Sequence, residues 1–102
     1  MKKQKFISVL VKEPGEHPEV RRIPNDYLAF EKIVGGCLDF ARPCRWLVVI
    51  VNDVSAINGS KFNCSLNGYP FFGTMIFVGD DSEDFCDVPA WLLNSFIKKG
   101  SG

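Results

Sequence analysis

The chain has 102 residues and a mass of 11.4 kDa, which suits one compact domain and is too short for two, because an independent hydrophobic core usually needs about 100 residues or more. Hydrophobic residues make up 46% and charged residues 24%, a balance that excludes a disordered chain. Twelve Lys and Arg balance twelve Asp and Glu, so the overall basic excess typical of nucleic-acid-binding proteins is missing, and no run approaches the roughly 18 apolar residues of a membrane span.

The first third of the chain predicts a β-hairpin followed by a short helix. Residues 5–12 are mostly apolar and β-branched, and residues 19–23, after a Pro-Gly turn, alternate with period two. Asn25 then has the side chain of a helix N-cap. The helix, of about ten residues, must end at Gly35-Gly36, where left-handed backbone geometry costs little.

The middle of the chain predicts two strands that are apolar on both faces. A short strand over residues 37–40 is expected to stop before Pro43, and residues 45–52 form the strongest strand in the sequence. A long loop, with a short strand around residues 61–65, separates it from a second doubly apolar strand over residues 69–78. Each such strand is either central in a sheet covered on both sides, or covered on one side by a partner.

The C-terminal segment predicts a second helix with two apolar faces. Asp87 can cap this helix, and Pro89 is tolerated in its first turn. The main apolar face begins at Val88, whereas Leu93 and Ile97 form an i, i+4 pair well around the cylinder from it. Together with the doubly apolar strands, this surplus of apolar surface favours a covering second subunit, as in a homo-oligomer, or a covering host protein. The alternative is a large aromatic core inside a curled sheet.

These elements indicate a single α+β domain over residues 1–99, with a mixed or antiparallel sheet of about five strands and two short helices. Residues 100–102 are expected to form a flexible tail. Because the N-terminal residues show no cleavage-site pattern, a cytoplasmic location is expected.

Residues with catalytic or metal-binding chemistry are sparse. The four cysteines include no C-x-x-C pair, so neither a zinc site nor, in a reducing cytosol, a disulfide framework is expected. The single histidine, His17, lies beside a proline in a predicted exposed turn, a poor position for a catalytic base. The acidic residues of 80–87 lack the ligand order of an EF-hand. The sequence therefore predicts a protein that is not an enzyme and uses no metal or cofactor.

One candidate site is a pocket for a small anionic ligand. Arg42 and Arg45 could supply positive charge, Tyr69 could supply a ring, and Asn58 and Asn67 could supply loop amides. Nucleic acid itself is an unlikely ligand, because the aromatic strands carry almost no further positive charge.

The other candidate site is a partner-binding surface at the acidic end of the chain. Residues 1–22 carry six basic and three acidic side chains, whereas residues 80–102 carry five acidic and two basic ones. An acidic surface can imitate nucleic-acid phosphate, although a solvated turn would have the same composition. The candidate contact residues are Asp80, Asp81, Glu83, Asp84, Leu93 and Ile97.

Several short stretches resemble one protein family by their order and spacing. They are Val11 to Gly15, Glu19 to Asp26, Val34-Gly35-Gly36, Leu47 to Asn52, Gly73-Thr74, Val78-Gly79 and Glu83-Asp84-Phe85. Over residues 9–97 the chain thereby resembles the family called domain of unknown function 3846, found in phages and in mobile elements of Firmicutes. The chain departs from that pattern in its short, Cys- and Phe-rich stretch Ser60 to Phe72, where a longer polar insertion is expected.

The resemblance implies a setting and no settled activity. Small accessory proteins of phages often bind or inhibit a host component, so we expect a non-enzymatic protein that inhibits a host protein in the bacterial cytoplasm, in the manner of a counter-defence protein. The alternative is a sponge that sequesters a small anionic, nucleotide-like signal molecule.

Overall fold

The chain folds into an antiparallel sheet with a helix on one face and a β-hairpin on the other. The computed structural model describes residues 5–54, 59–66, 68–81 and 84–94. The elements are β1 (Phe6–Lys12), β2 (Glu19–Pro24), α1 (Tyr27–Val34), β3 (Leu38–Cys44), β4 (Leu47–Asn52), β5 (Phe62–Leu66), β6 (Tyr69–Phe72), β7 (Met75–Asp80) and β8 (Phe85–Cys86). Residues 90–94 form a second, short helical segment. No helix within the described ranges is long and apolar enough to cross a membrane.

The main sheet has the strand order β2-β1-β7-β4-β3, and β8 pairs with the end of β7. Each of these pairings is antiparallel. The strands β5 and β6 form a separate two-stranded hairpin. The predicted α+β class, with a main sheet of about five strands and two short helices, is confirmed.

Both faces of the main sheet are covered by the chain itself. Strands β4 and β7 lie side by side in the middle, and successive side chains on a strand point to opposite faces. The first face packs against α1 in a core that includes Phe30, Val48 and Ile76. The second face packs against the β5–β6 hairpin and residues 90–94, in a core that includes Phe77. The doubly apolar strands are therefore central, and their burial gives no argument for a second subunit.

The helix N-cap is Asp26, so the prediction that Asn25 caps α1 is wrong by one residue. Oδ1 of Asp26 accepts the Ala29 N–H at 2.8 Å. Asn25 is instead buried, and its side-chain amide donates to the Phe85 carbonyl at 3.2 Å. The helix has eight residues and ends, as predicted, at Gly35, whose φ of 84° is left-handed.

Strand β3 does not stop before Pro43, which corrects the predicted interruption. A register shift between Ala41 and Cys44 admits the proline, and the missing N–H is tolerated because β3 is an edge strand among the described residues. In the turn that follows, Trp46 has a φ of 68°. Because that conformation ends strand geometry, β4 begins at Leu47 rather than at residue 45.

The predicted strand over residues 69–78 is two strands. Gly73 has a φ of 74°, which breaks the strand, and its N–H donates to the Lys61 carbonyl at 2.8 Å. The part before Gly73 is β6, which pairs with β5, and the part after it is β7 in the main sheet. A glycine inside an apolar run thus marks the point where the chain leaves one sheet for another.

The side chain of Asp87 binds strand β1, which corrects the prediction that it caps the second helix. Strand β1 pairs with β7 only over Leu10 to Lys12, and β8 followed by residues 87–88 fills the gap between the other ends of these strands. There Oδ1 of Asp87 accepts the Ser8 N–H at 2.8 Å, and the Val88 N–H donates to the Ser8 carbonyl at 2.9 Å. The helical segment consequently begins only at residue 90.

Candidate functional site

An open cleft of about 500 Å³ lies between the β3 edge of the main sheet and the β5–β6 hairpin. Ala41 and Val51 line it from the sheet, and Leu66, Tyr69 and Phe71 line it from the hairpin. Phe71 is buried and Val51 and Leu66 are half-buried, whereas Tyr69 is 69% exposed. The cleft therefore has an apolar interior and an exposed aromatic ring at its mouth.

The hairpin wall of the cleft is held in place by the buried side chain of Asn63. Its amide nitrogen donates to the carbonyl of Lys12 at 2.8 Å and to the carbonyl of Gly73 at 2.7 Å. Its oxygen accepts from Nζ of Lys12, also at 2.8 Å. Because a buried amide with three partners tolerates little displacement, the hairpin has a fixed position relative to β1.

Two carboxylates lie at the sheet side of the cleft, and sequence reasoning did not select them. Asp39 pairs with Val51 across β3 and β4, and Asp53 continues β4 two residues later, with its N–H donating to the Cys37 carbonyl at 2.9 Å. Asp39 and Asp53 are thus diagonal neighbours on one face of the sheet, and both line the cleft. Strand alternation could have placed them on that face, but only the packing of the hairpin makes it a cleft.

Of the residues predicted to bind an anion, Arg42 and Tyr69 both line the cleft. The Arg42 guanidinium forms an ion pair with the half-buried Asp80 on β7, which offsets its charge. Arg45 lies in the β3–β4 turn, with its guanidinium 5.5 Å from the centre of the Trp46 ring, and is not part of the lining. Asn58 and Asn67 lie outside the described residues. The predicted group is therefore brought together only in part.

The acidic turn uses its carboxylates to stabilise its own backbone. Asp80 pairs with Arg42, and Oδ1 of Asp81 accepts the Asp84 N–H at 2.9 Å. Oδ1 of Asp84 accepts the N–H of Phe85 at 2.8 Å. Glu83 lies outside the described residues. These contacts give each of the three aspartates a structural role.

The second helix exposes Trp91 to solvent and not Leu93, which was predicted to contact a partner. Leu93 is half-buried and packs against the second core, next to the buried Leu92. Trp91 is 51% exposed, so it is the apolar side chain that this segment offers to solvent. Ile97 lies outside the described residues.

A second feature that sequence reasoning missed is a closed cycle of four aromatic rings on the helix-covered face. Tyr27 and Phe30 from α1 contact each other, and each also contacts one of Phe40 and Phe85. Phe40 and Phe85 close the cycle, and the centroid separations are 5.9 to 6.3 Å. Helical spacing links Tyr27 with Phe30, but no periodic signal connects these two rings with Phe40 and Phe85, which come from other elements. The cycle fixes the start of β3, and so the sheet side of the cleft.

Two residues on the edge of β3 offer no free main-chain donor to an added strand. Oδ1 of Asp39 accepts the N–H of Phe40 at 2.9 Å, which occupies a donor that an added strand would need. Pro43, the penultimate residue of β3, has no N–H. A ligand of this cleft therefore meets fewer main-chain donors along β3 than along an ordinary edge strand.

Reactive side chains do not gather at the cleft or elsewhere in the part of the chain that the structure describes. Burial raises the pKa of the Cys64 thiol, and burial together with nearby aspartates raises the pKa of Cys86. His17 is exposed in the β1–β2 turn. Among residues 5–54, 59–66, 68–81 and 84–94, no three His, Cys, Asp or Glu side chains are placed to hold a metal ion.

A family model described as "Domain of unknown function (DUF3846)" matches residues 7–101. No curated protein and no solved structure matches the chain.

Proposed function

The chain belongs to the family of domain of unknown function 3846, and on that premise we propose that it is a non-enzymatic binding protein that holds part of another protein in the cleft between β3 and the β5–β6 hairpin. The observation that carries this proposal is the cleft of about 500 Å³, with its apolar interior and exposed tyrosine. Concave apolar surfaces with a few polar groups are where proteins usually bind their ligands.

The rigidity of both walls supports a binding role. Asn63 fixes the hairpin wall to β1, and the aromatic cycle fixes the start of β3. A preorganised cleft loses little conformational entropy when it is filled, so more of the contact energy contributes to affinity.

The alternative proposal, a sponge for a small anionic signal, has weaker support. Arg42 is the cation in the cleft lining, and its guanidinium is paired with Asp80. Asp39 and Asp53 line the same cleft and would repel an anion. The charges therefore favour a protein segment over a nucleotide.

In the phage or mobile-element setting that the family resemblance implies, the partner would be a host protein and the binding would be inhibitory. The chain would then act in the cytoplasm of the host by occupying a surface that the partner needs. Inhibition by occupancy needs no catalytic group.

Site-specific crosslinking tests this proposal. A photoreactive phenylalanine analogue placed at Tyr69 is expected to crosslink a host protein in lysate, whereas the same analogue at the exposed Trp91, which does not line the cleft, is not. With the captured partner purified, Tyr69→Ala is expected to weaken binding by about tenfold or more and Trp91→Ala by less than about threefold.

Two results would count against the proposal. Equal crosslinking from both positions, or none from position 69, would mean that the cleft does not hold the partner. A small molecule that is released when the purified protein is denatured, and whose binding raises the thermal stability of the refolded chain, would support the sponge instead.

A further inference from the structure

We propose that the cleft selects a basic side chain, Arg or Lys, of the protein segment that it binds. This inference rests on the proposed function and narrows it to one class of partner surface. Three features of the cleft support it, namely the position of two carboxylates, the pairing of the nearby arginine, and the exposed ring at the mouth.

The charge in the cleft lining is predominantly acidic. Asp39 and Asp53 are both exposed residues on the same sheet face, and they are diagonal neighbours across β3 and β4. Arg42 also lines the cleft, but Asp80 on β7 pairs with its guanidinium. A cation placed between two carboxylates on one face of a sheet would interact favourably with both.

The contact that Asp39 already makes leaves it able to bind a cation. One oxygen accepts the Phe40 N–H at 2.9 Å, and an ionised carboxylate has acceptor sites on both of its oxygens. The planar guanidinium of arginine suits such a pair of carboxylates, because its five N–H donors can reach two acceptors at once.

The aromatic side of the cleft suits the same ligand. Tyr69 is 69% exposed and contacts the buried Phe71 ring, with a centroid separation of 6.2 Å. A guanidinium or ammonium group binds favourably over such a ring, and the methylene groups of Arg or Lys can lie against Val51 and Leu66. The carboxylates and the Tyr69 ring thus suit the charged group of a long basic side chain, and the apolar residues suit its methylene groups.

Main-chain pairing along the edge of β3 is hindered. Because Asp39 occupies the Phe40 N–H and Pro43 lacks one, a partner strand would find fewer main-chain donors along β3 than along an ordinary edge strand. This favours recognition through the side chains that enter the cleft.

Model compounds test the inference directly on the full chain. N-acetylarginine methylamide and its neutral isostere N-acetylcitrulline methylamide are titrated into isotopically labelled protein, and the amide NMR shifts of residues that line the cleft are followed. The arginine compound is expected to shift the amides of Asp39, Ala41 and Tyr69, with an affinity roughly 3- to 10-fold above that of the citrulline compound. Added salt is expected to reduce this preference.

Isosteric variants identify the carboxylates responsible. Asp39→Asn together with Asp53→Asn keeps the acceptor for the Phe40 N–H and removes both charges, so the preference for the arginine compound is expected to disappear. Glu16→Gln removes one charge from the exposed β1–β2 turn, away from the cleft, and is expected to leave the preference unchanged.

The possible results separate this inference from the proposed function. Equal shifts with both compounds, a preference retained in the double Asn variant, or tighter binding of adenosine monophosphate would overturn the basic-side-chain inference. If the partner captured through Tyr69 also binds the double Asn variant with unchanged affinity, the inference fails while the cleft keeps its binding role. Loss of crosslinking at position 69 would instead remove the proposed function itself.

Discussion

Gly79→Ala is expected to destabilise the protein strongly, because β7 passes directly beneath the Cys86–Asp87 segment at this residue. An added Cβ would overlap the carbonyl oxygen of Asp87 and lie 2.9 Å from Sγ of Cys86 and 3.1 Å from the Asp87 carbonyl carbon. Carbon atoms in contact are normally about 3.5–4.0 Å apart. The segment after β8 must therefore move by at least about half an ångström, and the oxygen overlap demands more.

The expected loss follows from the contacts that this movement disturbs. The two hydrogen bonds that Ser8 makes, to the Asp87 carboxylate and from the Val88 N–H, each contribute about 1 kcal/mol. Val88 is buried in the second core, and Phe85 belongs to the aromatic cycle, so imperfect repacking adds about 1–2 kcal/mol. A total of about 3–4 kcal/mol lowers the melting temperature of a domain of this size by roughly 12–32 °C.

Urea unfolding followed by far-UV circular dichroism measures this loss, with Gly15→Ala as the control. Gly15 has a φ of 78°, but nothing lies within 4 Å of an added Cβ, so its variant carries only the backbone strain of about 1 kcal/mol. Gly79 lies outside the left-handed region and carries only the steric overlap. If Gly79→Ala loses no more stability than Gly15→Ala, the close packing of residues 86–88 on β7 is refuted.

Two further predictions concern the hairpin wall and the thiols. Asn63→Ala removes the three hydrogen bonds that connect the hairpin to β1 and to the Gly73 turn. The free energy of unfolding should therefore fall by about 2–4 kcal/mol in the same urea assay. A loss below about 1 kcal/mol would contradict the fixed position of the hairpin. The raised pKa values of Cys64 and Cys86 leave less thiolate at about pH 8. Mass spectrometry should therefore show that iodoacetamide alkylates these two thiols more slowly in the folded protein than in the urea-unfolded chain. Equal rates would contradict the burial of the two thiols. Because these thiols hold their protons to higher pH when folded, the free energy of unfolding should also fall as the pH rises above 9.0, the ordinary thiol value.

Local patterns were sufficient for most elements and failed where long-range contacts decide. The β1–β2 hairpin, the helix ending at Gly35 and the central apolar strands depend on residues close together in the chain. Asn25 and Asp87 both have side chains that can cap a helix, yet each contacts a distant strand. The cap of α1 is therefore Asp26, and the second helix begins at residue 90, beyond the predicted start. Burial within the chain likewise accounts for apolar surface that the sequence alone could equally assign to a partner.

The candidate site was predictable only in part. Arg42 and Tyr69 both line the cleft as expected, but the sequence gives no information on the Arg42–Asp80 pair, which offsets the positive charge that the site was expected to have. Asp39 and Asp53 stand out only once the hairpin is packed opposite their sheet face.

The sequence by itself determined the class of fold, the apolar character of the strands that become central and the family, because hydrophobic periodicity, turn residues and the order of short motifs are local properties. The tertiary structure alone decided which side chains share the cleft and which of their charges are already paired. Those properties depend on contacts between residues far apart in the chain, such as Arg42 with Asp80 and Asn63 with Lys12.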